Sequence, residues 1–415
     1  MLPRPTSSNP EAAPDAATAP AACPACGNTQ FRPLVDFGEV PHSGTFLRSA
    51  DGSFATLRLR FEYCEECGLV RQPEAAAAQP DYSEIGRRTA RQLPEYADEI
   101  VRRLAGAMRR PDTDLVVEVG ANDGTFLDLL RAAAFQNRLA IEPSRPLAAI
   151  CRDAGHAVEN IHLTESHAAR VAARYGAARV VVCRHTLEHV PAPHMLLRAM
   201  RRLLADEGWL FIEVPAAAPI VERLLAHELW DEHLTYFSPG NLERMAGLAG
   251  FHVIECKAAA HRSSENLMLW ARACGTTKPA LATTGAGAGE LLARCSSFRE
   301  RWNAFSAHLR ELAPTWRAPV FALGASHPQS NFLLFSRLGA RVSGLVDEDP
   351  SKIGFRVPLP QPVPVLSVPG FQDAMRGGTL LLTAFGYPDW MQRMRAELAG
   401  RDVAFVDPLE PLRQF

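Results

Sequence analysis

No run of about eighteen apolar residues occurs anywhere in the chain, so an ordinary membrane-spanning helix is excluded. Charge of one sign is also missing. Forty-four basic residues against 46 acidic ones leave a net charge of -2, which offers no electrostatic footprint for nucleic acid or an anionic membrane. The first twenty residues lack the apolar stretch of a secretion signal and consist largely of Ala, Pro and Ser. They read as a disordered tail over 1–20, and the cytoplasm is the expected location. No repeat of solenoid type is present. What remains is a 415-residue chain, 47% apolar and 22% charged, long enough for two or three globular domains.

Nine cysteines are unevenly placed. Cys23–Cys26 and Cys64–Cys67 form two Cys-x-x-Cys pairs, "CPAC" and "CEEC", with 37 residues between them. Four thiolates carried on two turns make the closed sulfur set that a structural zinc prefers. Gly27 and Gly68 follow the pairs, as a tight metal-binding knuckle requires. Neither pair opens a helix of a thioredoxin-like unit, which disfavours a redox role. We therefore expect a zinc module over 21–80.

From Asp114 short β-branched runs alternate with amphipathic helices, the pattern of a parallel sheet covered on both faces. The segment "VVEVGANDGTFL" (116–127) ends a strand at Glu118, turns through Gly120, Asn122 and Gly124, and enters a helix. Glu142, at the end of the next strand in "AIEPSRP", suits a bidentate hydrogen bond to a ribose diol. Asn122 stands where a dinucleotide fingerprint has its second glycine, and no third glycine opens the helix. The pattern favours S-adenosylmethionine, which has no pyrophosphate to cradle, over NAD. "CRHTLEHVPAP" (183–193) brings His185 to the ligand edge of the sheet, with His189 read as structural. "LWDEHLTYFSP" (229–239) sets Asp231, Glu232 and His233 among Trp230, Leu234, Tyr236 and Phe237. "HELWD" is no zincin, because Asp231 stands where the second histidine belongs. Carboxylates and apolar neighbours around His233 suggest a raised proton affinity, suited to a general base. The residues alone leave that reading and a structural one open. After a break at "GTTKPALATTGAGAG" (275–289), a helix from Leu291 leads into a second, shorter β/α series.

The cysteine pairs, "VEVGANDGTFL", "IEPS", "LEHVPAP" and "EHLTYFSP", in that order, resemble the zinc-containing sugar C-methyltransferases. The resemblance runs from about Ala21 to the C-terminus, with "AHRSSENLMLWA" closing the central domain. It implies a Rossmann-like methyltransferase domain over 81–280 and a smaller α/β domain over 281–415 that binds a nucleotide. It also implies His233 as the base and Glu232 as its orienting partner, acting on a nucleotide-linked 4-keto-deoxysugar through an enolate, within secondary metabolism. His185 and Tyr236 are then candidates for the substrate pocket, and Gly324, Asn331 and Asp347 for nucleotide contacts. The departures lie beside the base. The family's Tyr-His is Trp230-Asp231 here, its tyrosine after the zinc module falls at Gly86 or Arg87, and "GASHPQSNFLL" replaces its Lys-Gly-Asn turn. Tyr82 and Tyr96 are the tyrosines available as substitutes. A methyltransferase with a nitrogen or oxygen acceptor is the first alternative. A zinc-ribbon protein binding nucleic acid and a nicotinamide oxidoreductase are more distant ones, and the balanced charge argues against the former.

Overall fold

A computed structural model describes residues 22–73, 93–110, 112–262, 264–274, 288–375 and 377–415. The expected disordered tail, Tyr82, Gly86, Arg87 and most of the break around 275–289 lie outside these residues.

Three sheets organise the chain. The first holds β1 (Phe31–Pro41), β2 (Thr56–Cys64) and β3 (Val70–Arg71) as an antiparallel run. A helix, α1 (Ala97–Ala107), precedes the central sheet.

The second sheet has a parallel core of β4 (Val116–Val119), β5 (Arg138–Ile141), β6 (Ala157–Glu159), β7 (Ala178–Arg184) and β8 (Leu204–Pro215). Its connections include α2 (Thr125–Ala132), α3 (Arg145–Asp153), α4 (Glu165–Tyr175) and α5 (Pro193–Leu203). After β8 come α6 (Ala217–Glu222), a two-residue strand β9 (Thr235–Tyr236) and α7 (Pro239–Leu248). An antiparallel hairpin, β10 (Phe251–His261) and β11 (Ser264–Ala273), then completes the order β10-β11-β8-β7-β4-β5-β6. Every residue of β4 is buried, as a strand covered by helices on both faces must be.

Helix starts follow local chemistry. Ser144 accepts from the Leu147 amide at α3, and Ser238 forms a reciprocal capping box with Asn241 at α7; each helix has proline in its first turn.

A long helix, α8 (Ala288–Leu312), leads to a third sheet. It is built on β12 (Val320–Leu323), β13 (Gly344–Val346), β14 (Arg356–Val357), β15 (Val363–Leu366), β16 (Gly378–Leu381) and β17 (Val403–Val406), with α9 (His327–Phe335) after β12. All its pairings are parallel except β14–β15.

The first sheet does not stand alone. Strand β3 pairs with β9, Val70 opposite Tyr236 and Arg71 opposite Thr235, so a segment from beyond the central sheet supplies its last strand. One buried apolar cluster joins Leu34, Phe61 and Val70 with Ile220 of α6, Phe298 and Trp302 of α8, and Phe332 of α9. A second joins Cys23, Cys64 and Leu69 with Val181, Val214 and Phe237. Among the described residues no helix is long and apolar enough to cross a membrane.

Candidate active site

The two cysteine pairs converge. One sulfur from each of Cys23, Cys26, Cys64 and Cys67 lies within 4.8 Å of all the others, with Cys23 3.6 Å from Cys67 and Cys26 3.5 Å from Cys64. A tetrahedral zinc with bonds of about 2.3 Å sets its sulfurs about 3.8 Å apart, so the donor set fits such an ion. Both knuckles close the same way. Gly27 donates to the Cys23 carbonyl and Gly68 to the Cys64 carbonyl, each at 2.9 Å and each with φ near +75° (+79° and +69°). Without a cation the thiols must share protons: Cys64 above all pushes the Cys23 thiol up to about 12.

The glycine turn after β4 is built from its own neighbourhood. Glu142 accepts from the Asn122 amide at 2.8 Å and the Ser144 amide at 2.9 Å, tying the turn to the end of β5. Burial nevertheless pushes its carboxyl up to about 7. Glu118 is fully buried and its Oε2 has no hydrogen-bond partner; burial pushes it up to about 8, against the pull of Arg184. Gly120 takes φ +74°, and a Cβ there would stand 2.0 Å from Thr186 Oγ1. Thr186 belongs to the segment carrying His185, so the cofactor turn and that segment are in close contact.

At the carboxyl edge of the sheet, Glu213 of β8 gathers a polar network. Tyr96 donates to its Oε1 at 2.5 Å, Asn266 to the same oxygen at 2.9 Å, and Arg184 to Oε2 at 2.6 Å. His185, held at φ +46°, places Nε2 3.4 Å from Glu213 and Nδ1 3.5 Å from Glu188. Burial works against its charge, but Glu213 and Glu188 outweigh it and push the imidazole up to about 9. About a third of the side chain still faces solvent, enough for a ligand to reach it.

The loop from Leu229 to Tyr236 lies across this edge, and Asp231, Glu232 and His233 are all buried. Each neighbouring unit holds it. Gln72, just past β3, aims its side-chain amide at the carbonyls of Trp230, Asp231 and His233 at 2.8–3.0 Å. The Ser43 amide donates to Asp231 at 3.1 Å, and His42 lies 3.7 Å from the same oxygen. The Leu234 amide donates to the Glu188 carbonyl at 2.7 Å, and His189 Nδ1 lies 2.9 Å from the Glu232 carbonyl. From α9, Asn331 donates to the Leu229 carbonyl at 3.3 Å, and His327 stacks on Trp230 with ring centres 4.0 Å apart. The ring of His233 packs against Trp230, His189 and Tyr236, and its Nδ1 has no hydrogen-bond partner.

With this geometry in place, the comparisons with known proteins are informative. Residues 89–256 match the family described as "Methyltransferase domain". The chain carries a methyltransferase domain. The curated C-methyltransferase NovU of Streptomyces niveus is 29% identical over 246 residues, 57% of this chain and 57% of the relative. The match thus spans little more than half of that relative's length. Magnesium protoporphyrin IX methyltransferase (ChlM) of Synechocystis PCC 6803, solved with SAM, is 15% identical with a TM-score of 0.33, over 43% of this chain and 78% of that one. The 1,6-didemethyltoxoflavin-N1-methyltransferase of Burkholderia thailandensis, solved with 1,6-didemethyltoxoflavin and S-adenosylhomocysteine, gives 16%, 0.33, 44% and 78% in the same order. A SAM-dependent methyltransferase of Anabaena variabilis gives 14%, 0.36, 48% and 90%. Scores this low record a likeness and carry nothing further.

Within and around the methyltransferase domain several expectations need correction. The proton affinity of His233 is not raised. Burial, with the neighbouring His189, His327 and His185, holds it well below the ordinary imidazole value, and no carboxylate reverses this. Tyr236 is a fully buried staple whose hydroxyl accepts from the Trp230 amide and donates to the Glu228 carbonyl, both at 2.8 Å. That leaves it no surface for substrate. The side-chain nitrogen of Asn331 serves the loop, donating to the Leu229 carbonyl. Asp347 accepts from the Ala325 amide at 2.8 Å, just after Gly324 (φ +95°), and reproduces in the third sheet the acid-to-turn tie of Glu142. His189, read as structural, is hydrogen-bonded beneath the loop through the Glu232 carbonyl, as that reading has it. Glu213, Asn266 and Gln72 were missed. For Glu213 a signal existed, a lone acid in the apolar strand "WLFIEVP"; for Gln72 none did.

Proposed function

We propose that the chain is an S-adenosylmethionine-dependent methyltransferase that methylates carbon beside a ketone, on a nucleotide-linked keto-deoxysugar. The single observation that carries the carbon assignment is His233, buried at the ligand edge with an unpartnered ring nitrogen and joined to the cofactor turn through Glu188 and Thr186. The named C-methyltransferase relative supports the same reading.

The labour divides by sheet. The 21–80 module, with zinc on Cys23, Cys26, Cys64 and Cys67, braces the base loop. The 81–280 domain holds the cofactor, with Glu118, Gly120, Asn122, Gly124 and Glu142 shaping its cradle. The unpartnered, buried Glu118 oxygen fits a ligand that brings polar hydrogens. S-adenosylmethionine, when bound, supplies a methyl group on positively charged sulfur. The 281–415 domain takes the nucleotide, with Gly324 and Asp347 at its glycine turn.

His233 is neutral near pH 7, so its lone pair is available to take the proton from the carbon beside the ketone, leaving an enolate as the nucleophile. His185, held cationic between Glu188 and Glu213, is placed to stabilise the enolate oxygen. Glu232 is the orienting partner of His233 in this reading, and its backbone carbonyl holds the loop to His189. In D2O the wild-type chain, given a 4-keto-deoxysugar nucleotide without the methyl donor, exchanges the hydrogen beside the ketone, and His233→Ala loses the exchange. Absence of exchange with wild type removes the enolate mechanism.

The low proton affinity of His233 favours one second reading. An amine or hydroxyl acceptor demands a weaker base than a carbon acid does, and methyl transfer to such an acceptor without C–H exchange would establish it.

A further inference from the structure

A second group of metal-binding side chains converges away from the cysteines. Glu188 and His189 lie in the single 3₁₀ turn Leu187–His189, and His233 comes from the loop above it. One donor atom from each of the three lies within 4.8 Å of the other two.

Two of these residues are buried and unsatisfied. Glu188 is 0% exposed and neither carboxylate oxygen has a hydrogen-bond partner, the ring of His185 at 3.5 Å being its close cationic neighbour. His233 is 9% exposed, and its Nδ1 is unpartnered too. The His185 ring, shared with Glu213, offsets only part of the cost of burying a carboxylate without hydrogen bonds, so further positive charge is favourable there.

His189 adds the third element. A carbonyl can only accept, so Nδ1 donates to Glu232 and Nε2 carries the lone pair of the ring. A histidine whose far nitrogen is fixed by a backbone carbonyl is the usual state of a metal ligand, because that bond sets both tautomer and orientation. Two imidazoles and one carboxylate, with no sulfur, are the donors that first-row divalent cations accept.

We propose that Glu188, His189 and His233 bind a divalent first-row transition cation, at a site separate from the four cysteines. A coordinated His233 has no lone pair left for a proton. Cation and substrate proton therefore compete for one nitrogen ligand, and occupancy of the site switches the loop from proton transfer to metal binding. The inference shares His233 with the base reading but does not depend on it, since the cation needs no substrate.

The test uses the full chain with its cysteine cluster filled with zinc, titrated with Co2+ and followed by visible absorption and calorimetry. The expected result is one further equivalent of Co2+, with weak visible bands and no thiolate-to-cobalt charge-transfer absorption. Glu188→Gln and His233→Asn should each weaken that equivalent at least about tenfold while keeping a cooperative thermal transition. His189→Asn provides the same comparison if Glu188→Gln does not fold. The proposal is overturned if no further equivalent binds, if binding is unchanged in the folded variants, or if a thiolate band accompanies it. The C–H exchange assay reports the base and is blind to cation affinity, so the two readings fail separately.

Discussion

The glycine turn proposed to hold the cofactor and the loop that carries the proposed base both lie at the carboxyl edge of one sheet, yet they are made in opposite ways. The turn from Glu118 to Gly124 is held mainly by the next β/α unit, where Glu142 ties it to the next strand and Ser144 starts the next helix, with Thr186 as a remote neighbour. The loop from Leu229 to Tyr236 is held by residues from all three sheets, with Ser43 and Gln72 on one side, Glu188 and His189 beneath, and His327 and Asn331 on the other. A locally built site withstands damage elsewhere in the molecule, and a site built from remote parts fails with any of them.

The sharpest way to break this comparison is at the cysteines. Removing the proposed zinc with a chelator, or replacing Cys64 by Ser, should free β3, the strand that pairs with Thr235 and Tyr236. Methyl transfer and C–H exchange should be lost and the melting temperature should fall by more than about 10 °C. Calorimetric binding of S-adenosylhomocysteine should survive. Loss of both functions together would show that the turn is not independent.

The reverse perturbation is Gly120→Ala. The positive φ and the clash with Thr186 should cost about 2–4 kcal/mol of stability, measured by urea unfolding. Cofactor affinity should fall at least about tenfold.

Tyr236→Phe removes two hydrogen bonds inside the loop and leaves the Trp230 amide buried without a partner. It should cost about 1–3 kcal/mol and lower turnover, with cofactor binding unchanged.

A further effect is a pH dependence that originates at the turn. Glu118 is pushed from the usual 4.5 up to about 8, so the folded chain binds more protons than the unfolded one between those values. Stability of the cofactor-free chain should therefore fall as pH rises from about 5 to 8. Glu118→Gln should flatten that slope in thermal melts recorded across the range.

The same contrast explains what could be read from the sequence. "VEVGANDGTFL" with "IEPS" announced its own geometry, because glycine spacing and the serine helix start act within a few residues and the strand-end acid reaches back across a single β/α unit, 20 residues. That the cysteine pairs would converge was equally legible, from their matched Cys-x-x-Cys spacing. In the base loop, composition marked a buried polar segment but misjudged its electrostatics. It showed the carboxylates beside His233 in the chain, whereas the folded ring faces other histidines. For Tyr236 the sequence left pocket lining and core packing equally open, because it does not show where a hydroxyl is spent; the fold makes it core. Gln72 was invisible, since nothing in "LVRQP" says that its amide will meet carbonyls from residues 230–233.

The pairing of β3 with β9 also bears on how the chain is made. The first sheet leaves the ribosome with one edge unpaired, and Val70 and Arg71 wait until the chain has been extended through Tyr236. Throughout that interval a bare strand edge, the kind of surface on which nascent chains pair wrongly, sits beside the cysteine knuckle. Early metal capture would then act as a holding step in biosynthesis, keeping the edge in register until its partner arrives.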